Sequence, residues 1–244
     1  MSAETERERE QVDRQMRLRR SREETREFPD RRAAGRALGD QLKYGELELA
    51  DRQDVLVLGL ARGGVPVAWE IAYALNAPLD AMVVRKLGVP GREELAMGAV
   101  ASGGEPVLNH RMIREFGINR DDVQRVLEAE TRELMRREKV YREGRPPAEV
   151  TGKVVILVDD GLATGASMRV AVDAVRSRRP AQVIVAAGTA PESTCSLLTG
   201  AADEIVCGAL PDDFTAVGRS YRDFTQVSDS EVQELLRTPT TEAD

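Results

Sequence analysis

Five apolar runs lie between residues 54 and 210: DVLVLGL (Asp54–Leu60), LDAMVVRKL (Leu79–Leu87), KVVILVDD (Lys153–Asp160), AQVIVAAG (Ala181–Gly188) and DEIVCGAL (Asp203–Leu210). They are continuous rather than alternating, the mark of strands buried on both faces. Segments with helical spacing separate them. Asp30–Tyr44 repeats Ala34, Ala37, Leu38 and Leu42, and Val65–Leu75 carries Pro66 in its first turn. Asn119–Arg142 sets Val123, Val126, Leu127, Leu134 and Val140 along one side, with Asn119 as its cap and GRPP as its stop. Ser167–Ser177 and PESTCSLL complete the series. Glu94–Asn109 reads as a flexible hairpin with a loose tip at Ser102-Gly103-Gly104.

Strands alternating with helices predict an α/β fold, an open, mainly parallel five-stranded sheet flanked by helices. Ligands of such sheets sit at the carboxyl ends of the strands. The alternation stops at residues 211–237, a small hood that opens on the aromatic-rich DFTAVGRSYRDF and closes on the helix DSEVQELLR, capped by Ser228 or Asp229. The domain therefore spans residues 28–237. A charged tail, 1–27, precedes it, disordered or a solvated helix, and a disordered end, 238–244, follows.

Net charge sharpens this picture. At −7 over 244 residues, the chain as a whole is a poor partner for nucleic acid. No apolar run approaches the roughly 20 residues that span a bilayer, and MSAETERERE has no secretory character; a cytoplasmic protein with no membrane partner is expected. Cys195, Cys207 and the single histidine, His110, lack metal-ligand spacing. The cysteines read as small buried hydrophobes.

Two strand ends share one design. The first run leads into Gly59-Leu-Ala-Arg62-Gly-Gly64, the third into Gly161-Leu-Ala-Thr164-Gly-Ala166, and a helix follows each. Small residues let backbone N–H groups converge, and the helix N-terminus adds partial positive charge, so each turn is an anion cradle. Neither is a dinucleotide or P-loop fingerprint. Arg62 arms the first with a forked cation, and Thr164 and Ser167 arm the second with hydroxyls. Asp159 and Asp160 precede the second cradle. Buried unpaired, each would cost several kcal/mol, so they meet a cation, a donor array or solvent. A sugar diol and a hydrated Mg²⁺ are suitable partners. The implied ligand is a ribose with phosphate at both ends.

VILVDDGLATGAS (Val155–Ser167) resembles the motif with which type I phosphoribosyltransferases bind 5-phosphoribosyl 1-pyrophosphate (PRPP), and GLARGG resembles their pyrophosphate loop. The resemblance covers about Phe28 to Leu236. KLGVPGREELAMGA and YRDFTQVSDSEV are similar to segments of a bacterial subgroup of predicted phosphoribosyltransferases whose acceptor is not established. It implies that Asp159 and Asp160 contact the ribose hydroxyls and that Ala163, Thr164, Gly165, Ala166 and Ser167 hold the 5-phosphate. Ala61, Arg62 and Gly63 would hold the pyrophosphate, often through a strained or cis peptide, with Arg85 and Lys86 reaching the same group. Catalysis would rest on Asp159, Asp160, Arg62 and Lys86, with Mg²⁺ as cofactor, carried by PRPP with help from the two acids. The Glu94–Asn109 hairpin would be the catalytic loop, and Phe214, Tyr221 and Phe224 would form a lid over a small-molecule acceptor, a nitrogen base. A homodimer or higher homo-oligomer is implied. Gly161 departs from the family's branched aliphatic and is expected to loosen the backbone beside the acids.

Other features read blandly. Glu93 and Glu94 are a solvated pair, His110 lies at the hairpin base, Trp69 belongs to the core, and Arg132–Arg142 is a solvated helix face. Two alternatives to a transferase remain: a PRPP-binding regulator without chemistry, and a phosphoribosyl hydrolase.

Overall fold

All five apolar runs become strands. The structure, a computed structural model, describes residues 27–45 and 47–241. The charged tail up to residue 26 and the last three residues lie outside it. Strands β1 (Val55–Leu60), β2 (Leu79–Met82), β6 (Val154–Gly161), β7 (Gln182–Thr189) and β8 (Glu204–Ala209) form one sheet in the order β2-β1-β6-β7-β8. Every neighbouring pair is parallel.

Alternate residues of these strands serve opposite faces. Leu56, Leu58, Val155, Leu157, Val183 and Val185 pack with helices α5 (Ala166–Ser177) and α6 (Glu192–Leu198). Val55, Val57, Val154, Ile156, Val158 and Ile184 pack with α1 (Arg31–Tyr44) and α2 (Gly64–Leu75). Both faces being covered explains why the runs are apolar throughout. Cys195 and Cys207 are buried with free thiols, their Sγ atoms 3.1 Å apart where α6 meets β8.

The run Leu79–Leu87 does not stay in one sheet. It breaks at Val83 and continues as β3 (Val84–Val89), which pairs antiparallel with β4 (Arg92–Ala101). Strand β4 pairs in turn with β5 (Val107–Leu108). The expected hairpin is therefore two strands of a three-stranded sheet, and it starts before Glu94. Ser102 clamps the break: its Oγ accepts from Val83 N at 2.9 Å, and its own N donates to Val83 O at 2.9 Å. One side of this second sheet packs on α4 (Arg120–Arg142) and α7 (Asp229–Arg237) through Leu87, Met97, Val100, Leu134, Val232 and Leu235. A short helix α3 (His110–Glu115) leads into α4.

Helix ends follow the sequence signals. Asn119 Oδ1 accepts from Asp122 N, and Ser228 Oγ, rather than the Asp229 side chain, caps α7. Arg142 departs from the expected solvated face. It is buried, with Nε 2.9 Å from Asp80 Oδ2 and Nη2 donating to Ala81 O, and it pins the end of α4 to β2. The chain also stays docked beyond the expected end of the hood, since buried Thr240 donates to Ala77 O at 2.7 Å. No described helix is long and apolar enough to cross a membrane.

Candidate functional site

Strand order reverses between β1 and β6: from β1 the chain crosses to β2 on one side and later returns to β6 on the other. The carboxyl ends of strands at such a switch point open a crevice. Both small-residue loops leave the sheet there, side by side, with Gly59 paired to Val158.

The first loop turns through a cis peptide bond between Ala61 and Arg62, the geometry that the resemblance led us to expect. It lies tightly against the second. A Cβ on Gly63 would overlap the Asp160 carboxylate, and one on Gly64 would stand 2.9 Å from Asp159 Cα. The two glycines serve close approach, so the cradles touch rather than merely neighbour each other.

The acids differ in their surroundings. Asp159 is partly exposed, and its Oδ1 accepts from Asp160 N at 2.9 Å. Burial, and then the Asp160 charge, push the Asp159 carboxyl well above the usual carboxylate range, while Arg31 works in the opposite direction. Asp160 has a cation of its own: Arg31 Nε donates to its Oδ2 at 2.8 Å, and the Tyr221 hydroxyl donates to its main-chain oxygen. Sequence reasoning missed Arg31, which reads there as one more charge in a charged helix start.

The second cradle is held from behind. Leu162 N donates to Thr189 O, and Thr194 Oγ1, from α6, donates to Ala163 O at 2.8 Å. Gly165 adopts φ 70° as it enters α5, a conformation that suits glycine. Ala163, Thr164 and Ala166 are exposed, Ser167 half-buried. Thr194 also escaped sequence reading.

The expected cations separate. Lys86 lines a cleft of about 210 Å³ together with Ala166, Ser167, Asn109 and the small residues of β4. Arg85, next along β3, points to α4 instead, its Nε donating to Glu130 at 2.7 Å. Arg62 lies 3.6 Å from Asp229 at the start of α7, which also accepts from Tyr141 Oη. Both arginines are thus held by carboxylates of the chain itself.

The hood differs from a simple aromatic lid. Tyr221 is buried, stacked 5.3 Å from Phe224 and 5.9 Å from Phe28, and packs the tail onto β7 at Gly188. Its expected role over the acceptor is therefore corrected to one of support. Phe224 is 37% exposed and carries the Arg31 guanidinium 3.9 Å from its ring centre. Phe214 is half-buried. Phe28 pairs with Tyr221, so the N-terminal segment is part of the hood. Gly161 is explained by the same hood: a Cβ there would overlap Val217 and lie 2.9 Å from Thr189 Cγ2. The backbone is not loosened; a neighbouring side chain fills the space. His110, Glu93 and Glu94 are exposed.

A parallel α/β sheet with two touching small-residue turns and paired acids at its switch point defines the class of this protein. Residues 34–194 match the phosphoribosyl transferase domain, and the chain belongs to that family. It is 44% identical, over 209 residues, to two Mycobacterium tuberculosis proteins provisionally named phosphoribosyl transferases. The match covers 86% of this chain and 46% of theirs, so the chain spans about half the length of these relatives. A crystal structure of a Thermus thermophilus protein superposes with TM-score 0.73 at 41% identity, over 86% of this chain and 97% of that one.

Proposed function

We propose that the protein transfers the 5-phosphoribosyl group of PRPP to a small nitrogen-base acceptor and releases pyrophosphate. The observation that carries this reading is the contact between the GLARGG turn and the Asp159–Ser167 turn at the switch point. One ligand spanning both cradles needs anionic groups at its two ends and hydroxyls between them.

Cleaving the bond from C1 to pyrophosphate leaves positive charge on the ribose ring and negative charge on the leaving group. Stabilising both requires placed charges, not a nucleophile. The acids lie beside the sugar. The amides around Ala61–Gly63 and the Lys86 ammonium would face the departing pyrophosphate, Arg62 would reach it by exchanging Asp229 for it, and the 5-phosphate would rest on Ala163–Ser167. A metal at this site would draw most of its ligands from substrate oxygens, with help from Asp159 and Asp160. Mg²⁺ bound in this way would neutralise the leaving group.

The test is pyrophosphate release from PRPP and Mg²⁺ with purines, pyrimidines, nicotinate, anthranilate and small amines as acceptors. Release dependent on one acceptor is expected. Release with water alone would make the protein a hydrolase. Tight PRPP binding without release would make it a regulator.

A further inference from the structure

The two acids at the end of β6 are adjacent in sequence but not equivalent in the fold. Asp160 is spoken for by Arg31, and the side chains of this pair are 11% and 14% exposed. The guanidinium is fixed on three sides: Nε on Asp160, Nη1 on Thr225 O at 2.7 Å, and its plane against the Phe224 ring. Asp30 caps α1 by accepting from Ala33 N, which sets Arg31 at the first helical position. A cation there is disfavoured by the helix dipole. Helix stability therefore does not account for it, and the contact with Asp160 does. On its other side Asp160 is closed in by Gly63, so its carboxylate has little freedom to turn.

We propose that Arg31 is a positioning residue of the sugar subsite: it fixes the Asp160 carboxylate from the hood side and leaves Asp159 as the acid that meets the ribose hydroxyls. The proposal rests on the PRPP reading above and adds a division of labour between the acids. Asp159 has one oxygen on the Asp160 amide and no cation bonded to it, and it keeps exposed surface. Its charged neighbours are Asp160 and Arg31, with the Tyr221 hydroxyl nearby. Removing Arg31 leaves the Asp160 carboxylate without its fixed partner beside the sugar subsite.

The experiment is calorimetric titration at neutral pH of PRPP with Mg²⁺, of ribose 5-phosphate and of pyrophosphate into wild type, Asp159→Asn, Asp160→Asn, Arg31→Met, Arg31→Lys and the double variant Asp160→Asn with Arg31→Met. Asp159→Asn is expected to abolish binding. Arg31→Met is expected to weaken PRPP and ribose 5-phosphate about tenfold or more and to leave pyrophosphate binding unchanged. In Asp160→Asn the further change Arg31→Met should have little added effect. A merely structural Arg31 would lower the melting temperature and either leave ribose 5-phosphate binding unchanged or weaken all three ligands alike, and either result overturns the proposal. So does equal loss of binding in Asp159→Asn and Asp160→Asn. If Arg31→Met does not fold, Arg31→Lys carries the test: Lys keeps the charge and loses the forked hold on Asp160 and Thr225, so weaker ribose 5-phosphate binding with pyrophosphate binding kept supports the role, and unchanged ribose 5-phosphate binding overturns it. Failure of wild type to bind PRPP overturns the transferase reading and this proposal with it. A wild type that binds PRPP, beside Arg31 variants whose ribose 5-phosphate affinity is unchanged, overturns this proposal alone.

Discussion

Gly161 shows how much one missing side chain can carry. The sequence marks it as a departure from a familiar motif, and its φ is ordinary, so conformational freedom is not the reason for it. Val217, 56 positions later, occupies the volume that a branched residue would need. Gly161→Val is expected to cost about 1–3 kcal/mol, as overpacking of tight sites does, and Gly161→Val with Val217→Ala should recover part of the loss. Denaturant midpoints of the single and double variants check this. If the two changes simply add, the positions do not share the space. At this scale the sequence reveals residues whose local pattern is unusual, such as Asp159, Asp160 and the loop glycines. It hides Arg31, Thr194 and Val217, whose importance lies in a partner 31 or more positions away.

Elements were legible wherever burial on both faces or a 3.6-residue period marks them, and caps such as Asn119 and Ser228 fell where side-chain chemistry placed them. The break at Val83 was not legible, because a strand that changes sheets keeps its apolar residues on both sides of the change. Ser102 holds that break by meeting both polar groups of the Val83 backbone. Ser102→Ala leaves the buried Val83 N–H without its partner and is expected to destabilise the fold by about 1–3 kcal/mol. Urea unfolding of the variant measures this, and an unchanged midpoint would mean that the clamp contributes nothing. The separation of Arg85 from Lys86 follows from the same strand. Consecutive residues point to opposite faces, so only Lys86 reaches the cleft beside Ser167.

At the scale of the whole molecule, two buried tyrosines tie the C-terminal segment to the rest. Burial, then the Asp229 carboxylate, push the Tyr141 phenol up to about 12, and burial and Asp160 push Tyr221 up as well. Both are raised above the unfolded value of about 10. The stability they contribute is therefore whole below that value and is lost as pH rises through the folded one. In a titration followed at 295 nm, both phenols should ionise late, together with alkaline unfolding. Tyr141→Phe and Tyr221→Phe should each remove amplitude from that late phase; amplitude lost near pH 10 instead would contradict the burial. The hood has a consequence in time as well as in space. Phe28 bonds with Ser220 and Arg222, and 194 positions separate Arg31 from Thr225. A ribosome adding about 5–20 residues each second needs roughly 10–40 s to make the second half of that contact. While the chain is still being translated, Asp160 and both cradles can already be folded, yet the hood that bears on them has not been synthesised. The site is completed only after residues 217–225 have emerged, long after the strand that carries the acids.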